Sequence, residues 1–430
     1  MNKKLFLLLA FGAPLFSCAQ KTDISAAEAT RIETYLASDE LGGRRPGTPG
    51  IEKAAAFIAD EFRKAGLQPL PGATGFLQEF PVLRPKQTLL KAEVNEQDFD
   101  VKNVLVVTTK KEFKVNEKSG FRVMRLAPQG KVDTRQVFSE VRGLASGKEN
   151  LVVLVDTAYS RLFPRFSGLK RAMLPSEYDV VFLLTQETPR SFTVKAEHSF
   201  AEERMANVVG VLPGTTRASE QVIFSGHYDH LGIGKPVNGD SIYNGANDDA
   251  SGITSVILLA QHFAKLKNNA RGLMFVAFTA EESGGWGAQY FSRQLDPARV
   301  MAMFNIEMIG TESKWGRNSA FITGFDKTDM GVLLQKSLKG SGFDFHPDPY
   351  PEQDLFYRSD NATLAYLGVP AHTISTSKMD VEPHYHKPSD EVGTLDMANL
   401  AKITEAIARS AAGIISGTDT PTRVKQEKSF

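Results

Sequence analysis

Residues 273–280 read LMFVAFTA, an almost unbroken apolar run, and two glutamates follow at once. A half-exposed strand alternates polar and apolar side chains. An unbroken short run is what a strand covered on both faces needs. Such a strand belongs in a layered α/β sheet, and the flanking sequence has that rhythm. NVVGVL (207–212) and QVIFSG (221–226) read as strands. SGITSVILLAQHFAKL (251–266) reads as a helix, with Ile253, Val256, Ile257, Ala260 and Phe263 on one face and Ser251 as its cap. VMAMFNIEMIG (300–310) and AHTIS (371–375) read as further strands, and helices are expected at about 328–340 and 396–414.

Nearer the N-terminus, a helix is expected over Thr22 to Ala37, then the punctuated turn LGGRRPGTPG. A second helix follows, with Ala54, Ile58, Phe62 and Ala65 on one face and Gly66 as its stop. From 83 to 203 the pattern changes to short β-rich runs between basic, irregular stretches, which reads as an inserted, mostly β module. The expected organisation is therefore a main domain of residues 22–82 and 204–416, the insertion 83–203, and a disordered tail 417–430. At 430 residues the chain is long enough for this arrangement.

The first residues carry a different signal. Lys3 and Lys4 precede the apolar LFLLLAFGAPLF, then Ser17 and Cys18. That stretch is too short to span a membrane and fits a secretory core. LFSC resembles a bacterial lipoprotein signal over residues 1–18, with Cys18 as the lipidated residue. It implies export to the periplasm or the outer membrane; the alternative is secretion with cleavage near Ala19. Cys18 is the single cysteine. The rest of the chain has no disulfide and no thiolate, so a metal site would use His, Asp and Glu. With 50 basic and 50 acidic residues, there is no charge footprint for nucleic acid.

The polar residues sit at strand ends. His227 and Asp229 follow the 221–226 strand, Glu281 and Glu282 follow 273–280, and Glu307 comes late in 300–308. Open α/β sheets build sites at the carboxyl ends of their strands. Glu307 lies between apolar runs, where a carboxylate needs a partner. Asp248 and Asp249 precede the 251–266 helix and could simply cap it. Asp360 reads equally as a helix cap or a substrate-positioning group. His230 and His384 lie near these groups as outer or rim residues, whereas His198, His262, His346 and His372 read as structural or exposed.

Five segments, SGHYDHLG, NGANDDASG, TAEESG, FNIEMIG and HYHKPSD, closely resemble the motifs of the co-catalytic di-zinc exopeptidases, and in that family's order. These include secreted bacterial aminopeptidases and relatives of glutamate carboxypeptidase. YLASDELGGRRPGTPGIEKAAAFIADEF resembles the family's N-terminal segment. The resemblance implies a three-layer α/β fold, a mixed β-sheet flanked by helices. It implies two zinc ions, one on His227 and Glu307, the other on Glu282 and His386, bridged by Asp248. Asp229 would orient His227, Asp249 would lie behind the ligands, and Tyr385 would donate to an oxyanion. Glu281 would be the general base for a metal-bridged hydroxide. Many members have aspartate where this chain has Glu307, which bears on the metal spacing.

The implied activity is removal of N-terminal residues from peptide substrates. The alternatives are a carboxypeptidase-type or dipeptide-cleaving relative, glutaminyl cyclase-like chemistry, or a non-catalytic binding protein on the same fold. No residue is assigned to the substrate side chain. The serine-hydrolase elbow G-x-S-x-G and the zinc helix H-E-x-x-H are both absent.

Overall fold

The computed structural model describes residues 23–130 and 132–425. The expected signal and Cys18 lie outside the described residues, as do residues 426–430. Ten strands form one mixed sheet. Eight of them position the site: β1 (Leu77–Val94), β2 (Phe192–Leu212), β3 (Arg217–His227), β4 (Arg271–Phe278), β5 (Val300–Ile306), β6 (Ser319–Ile322), β7 (Asp344–Pro347) and β8 (Ala371–Ser375). Their order across the sheet is β7-β6-β8-β5-β3-β4-β2-β1. The central four, β8, β5, β3 and β4, run parallel, so their carboxyl ends share one edge.

The sheet explains the LMFVAFTA pattern. Leu273, Phe275 and Ala277 of β4 pack with helices α1 (Ala26–Leu36), α2 (Pro49–Ala65), α3 (Ser251–Leu266) and, at the C-terminus, Met397–Ser416. Met274, Val276 and Phe278 point the other way, against Ala288 and Phe291 of the helix Trp286–Arg293 and Leu364 and Ala365 of the short helix Asn361–Ala365. Both faces are thus covered, and every residue of β4 is buried. Phe224 centres the first layer, with its ring 5.0 Å from Phe304 and 5.6 Å from Phe275. Burying a phenylalanine of this kind contributes about 1.5–3 kcal/mol. Among the described residues, no helix is long and apolar enough to cross a membrane.

The helices match the sequence pattern closely. Helix α2 ends where expected, with Gly66 in the left-handed conformation at φ 83°. Helix α3 begins at Ser251, but Ser251 does not cap it. Its hydroxyl instead donates to the Asn247 carbonyl, and Asp249 accepts from the Gly252 N–H. The segment before α3 is irregular, so the capping side chain sits two residues earlier than the periodicity suggests.

The insertion differs from a mostly β module with ends near 83 and 203. Strands β1 and β2 run straight through both positions, paired antiparallel from Leu77–Val208 to Val94–Phe192. Beyond them lies a separate four-stranded sheet with its own core, including Leu105, Val153, Phe166 and Phe182. Its strand Leu151–Val155 is parallel to both neighbours, and the helix Thr134–Ser146 makes the crossover that a parallel pair requires. The expected disordered tail is also corrected over 417–425. Arg271 donates to the Asp419 carbonyl and the Thr420 hydroxyl at 2.8 and 2.5 Å, and Val424 is buried.

Candidate metal centre

The carboxyl ends of β3, β4 and β5 bring His227, Glu281, Glu282 and Glu307 to one place, and the loop before α3 adds Asp248. Asp248, Glu281, Glu282 and Glu307 line a cleft with Tyr385 and Arg358 at its wall and Phe321, Leu355 and Met379 as its apolar part. Backbone shape serves this convergence. Ala280, Met308 and His386 are non-glycine residues at φ 60°, 54° and 54°, each at or beside a site residue. Left-handed non-glycine conformations cost energy and gather at functional sites.

Asp248 is the hinge of the arrangement. Its Oδ1 lies 3.1 Å from His227 Nε2, and its Oδ2 lies 3.4 Å from His386 Nε2 and 4.0 Å from His230 Nδ1. One carboxylate thus presents one oxygen to each of two groups. The first group is His227, Asp248 and Glu307. The second is His230, Asp248 and Glu282, with His386 Nε2 3.2 Å from Glu282 Oε1. Glu282 Oε1 is also 2.9 Å from His230 Nδ1. Yet Glu282 Oε1, His230 Nδ1, His386 Nε2 and Glu307 Oε2 have no aligned hydrogen-bond partner. Buried polar atoms left so are rare. Their lone pairs converge without being aimed at one another, as donors around a cation do.

The chemistry of the donor set fits this. Imidazole and carboxylate donors suit zinc and other first-row divalent ions. Bonds of about 2.0–2.2 Å place tetrahedral ligand atoms about 3.3–3.6 Å apart; the contacts here run from 2.9 to 4.0 Å and bracket that range. In the protein alone, the electrostatics are strained. Burial pushes Glu281 well above the usual carboxylate range, and Glu307, Asp360 and Glu282 add to it against the opposing charge of His227. Burial also opposes charge on His386, but Asp248 and Glu282 outweigh it and raise that ring to about 10. Burial likewise raises Asp360 to about 8, against His227 and with Asp229 and Glu307. A cluster of so many acids close together calls for bound positive charge.

The loops are held from behind. Asp249, fully buried, accepts from the backbone N–H of His227, Gly252 and Met308 at 3.0, 3.1 and 3.1 Å. It is joined to Asp248 by a cis peptide bond. Asp229 departs from the expected geometry. His227 Nδ1 is 3.1 Å from the Asp229 backbone carbonyl but 3.8 Å from its carboxylate. The carbonyl accepts a hydrogen bond from Nδ1–H, and Nε2 faces Asp248. The Asp229 carboxylate accepts from the Glu281 N–H at 3.0 Å and so places Glu281. Tyr385 stacks on the His386 ring, with centroids 3.9 Å apart.

Two residues without an assigned role in the sequence prove central. Asp390, buried at the end of HYHKPSD, accepts from Asn247 N–H at 2.8 Å and Asp248 N–H at 3.1 Å. Arg44, from the turn LGGRRPGTPG, is 1% exposed and donates to the carbonyls of Leu36, Tyr228, Asn244 and Gly245. Their position inside recognisable segments was the available signal. Asp360 is buried with neither oxygen paired and makes no cap bond, which removes the capping alternative. His384 contacts Ser389 and lies outside both groups. His372 is buried between Thr328 and the Thr323 carbonyl, a structural position.

Comparison with known proteins now adds context. Residues 207–411 match the sequence model of Peptidase family M28. The aminopeptidase YwaD of Bacillus subtilis (strain 168) is 24% identical over 252 residues, 57% of this chain. The match spans 51% of that protein, about half its length. Among solved structures, BSAP, a zinc aminopeptidase from Bacillus subtilis, superposes with a TM-score of 0.55 at 16% identity, covering 95% of this chain and 98% of that one. An aminopeptidase from Aneurinibacillus sp. strain AM-1 gives 0.53 at 18% identity, covering 94% and 96%. These likenesses establish the three-layer mixed α/β fold.

Proposed function

We propose that this chain is an exported zinc-dependent aminopeptidase that removes N-terminal residues from peptides at a two-metal centre. The observation that carries the reading is Asp248, whose two oxygens face two separate clusters of imidazole and carboxylate donors. His227, Asp248 and Glu307 would hold one ion, and Asp248, Glu282 and His386 the other. Two divalent ions held there would supply polarisation of the scissile carbonyl and a lowered pKa for the attacking water.

The side chains do the rest. Glu281, raised by burial, accepts the proton of the attacking water while that water's oxygen bonds to the carbonyl carbon. When the C–N bond breaks, Glu281 returns the proton to the leaving amine. Glu281 lies outside both donor groups, which leaves it uncoordinated for this work. Tyr385 reaches the cleft and donates to the oxyanion that forms. The Asp229 carboxylate and the Asp249 carboxylate fix Glu281 and His227 through their backbone N–H groups.

The choice of an aminopeptidase over a carboxypeptidase is supported by the two related aminopeptidase structures and the bacterial aminopeptidase relative. Two donor sets favour it over a single-metal cyclase. The test is turnover on aminoacyl-, N-blocked and C-terminal-acid peptides, with and without chelator. Chelator-sensitive release of free N-terminal residues is expected; cleavage of N-blocked peptides alone overturns the reading. Export and lipid anchoring at Cys18 rest on the N-terminal sequence. A Cys18→Ser chain is expected to leave the membrane fraction, and one that stays there refutes the anchor.

A further inference from the structure

His230 lies three residues beyond His227, on the loop that leaves β3. Its side chain is 0% exposed. Both ring nitrogens lack a hydrogen-bond partner. A buried imidazole nitrogen left without a partner forfeits a hydrogen bond that water would otherwise supply. Something must repay that, and the surroundings name it. Nδ1 is 2.9 Å from Glu282 Oε1 and 4.0 Å from Asp248 Oδ2. His386 Nε2 is 3.2 Å from the same Glu282 oxygen and 3.4 Å from the same Asp248 oxygen. Two imidazole nitrogens and two carboxylate oxygens therefore stand around one point. The rings of His230 and His386 meet edge to face with centroids 5.7 Å apart.

Packing holds the ring there. Gly245 lies directly against it at φ 57°, and a Cβ at that position would collide with the ring. The absence of a side chain at residue 245 is thus part of what places His230.

We propose that His230 is a fourth protein ligand of the second metal position, joining Asp248, Glu282 and His386. This rests on the two-metal reading above and extends it. The two ions then differ. His230, Asp248, Glu282 and His386 would give the second ion four protein donors, against the three of His227, Asp248 and Glu307 at the first. The second ion would therefore be the one held more tightly.

The test is metal binding by the full chain, independent of turnover. Wild type is expected to retain two zinc ions after dialysis and to lose them to a chelator in two steps. His230→Ala and the bulk-preserving His230→Gln are expected to weaken the tightly held ion more than about 100-fold. That exceeds the ~10–100-fold change typical of a residue that only supports a ligand. With cobalt in place of zinc, the visible absorption of the tight step weakens in both variants as water replaces the imidazole. Thermal melting of metal-free His230→Gln, unchanged from wild type, separates ligand loss from unfolding. A two-ion wild type with a His230→Gln variant of unchanged chelator curve and cobalt spectrum overturns the assignment. A wild type that binds no zinc overturns the two-metal reading itself, and this one with it.

Discussion

Replacing Asp249 by alanine isolates what the site's backing is worth. Asp249 coordinates nothing in the proposed scheme, yet its two oxygens accept three backbone N–H groups from three different segments. The residue is fully buried, so water cannot replace the carboxylate. Each stranded N–H costs about 1–3 kcal/mol. Three of them give roughly 3–9 kcal/mol before relaxation, at or above the largest losses seen for single substitutions. Against a typical total of about 5–15 kcal/mol, the variant should be marginal or unfolded. Asp249→Asn keeps one acceptor oxygen in place but turns an amide N–H toward a backbone N–H, so about 1–3 kcal/mol is expected. Urea unfolding in excess chelator is the assay, because it removes metal binding from the comparison. A loss below about 1 kcal/mol for Asp249→Ala would mean that these three N–H groups find other partners, and the account of the backing would fail.

Three further outcomes are expected. Glu281→Gln should lose about 100-fold or more in kcat while keeping its metal, since general bases contribute about 10²–10⁴-fold; full activity removes Glu281 from its role. Gly252→Ala would set a Cβ inside contact distance of the Ile306 carbonyl oxygen and the Asp249 carboxylate. It should destabilise by about 1–3 kcal/mol or more, read as a lower urea midpoint; an unchanged midpoint refutes the close approach. Burial raises Glu33 from 4.5 to about 8, partly opposed by the Thr254 hydroxyl and Arg44 and reinforced by Asp390. The folded state therefore binds this proton more tightly, and the stability it adds is full below pH 4.5 and is lost as pH rises toward about 8. The bound is about 5 kcal/mol. Glu33→Gln, which keeps the acceptor for Thr254, should flatten that slope in chelator-treated protein; an identical slope refutes it.

The sequence exposed the site through its strand ends. Parallel strands covered on both faces are apolar throughout, so His227, Glu281 and Glu307 stand out where those runs stop. Single-chain pattern reaches less far where geometry depends on a partner. Val82 pairs with Glu203 across the expected insertion boundary, and nothing local announces a pairing 121 residues apart. Asp229 faced His227 by proximity, but the turn presents its carbonyl to the ring and its carboxylate to Glu281. Ser251 carried the usual cap identity, while the irregular loop gave the task to Asp249. His230 resembled an outer histidine because its depth comes from the loop that folds it against Gly245 and Glu282. The helix Thr134–Ser146 was hidden by the β-rich runs around it.

The paired strands β1 and β2 also decide how the outlying module can behave. Units joined by a loose linker swing freely. Here two strands stay paired from the central sheet into the module, with one register shift between Gln87 and Leu89. The junction is a stiff plank rather than a joint, and tilting it means parting ladder hydrogen bonds or bending at that single irregularity. A load on the distal sheet is therefore delivered to β2 and onward to β4, the strand that ends beside Glu281.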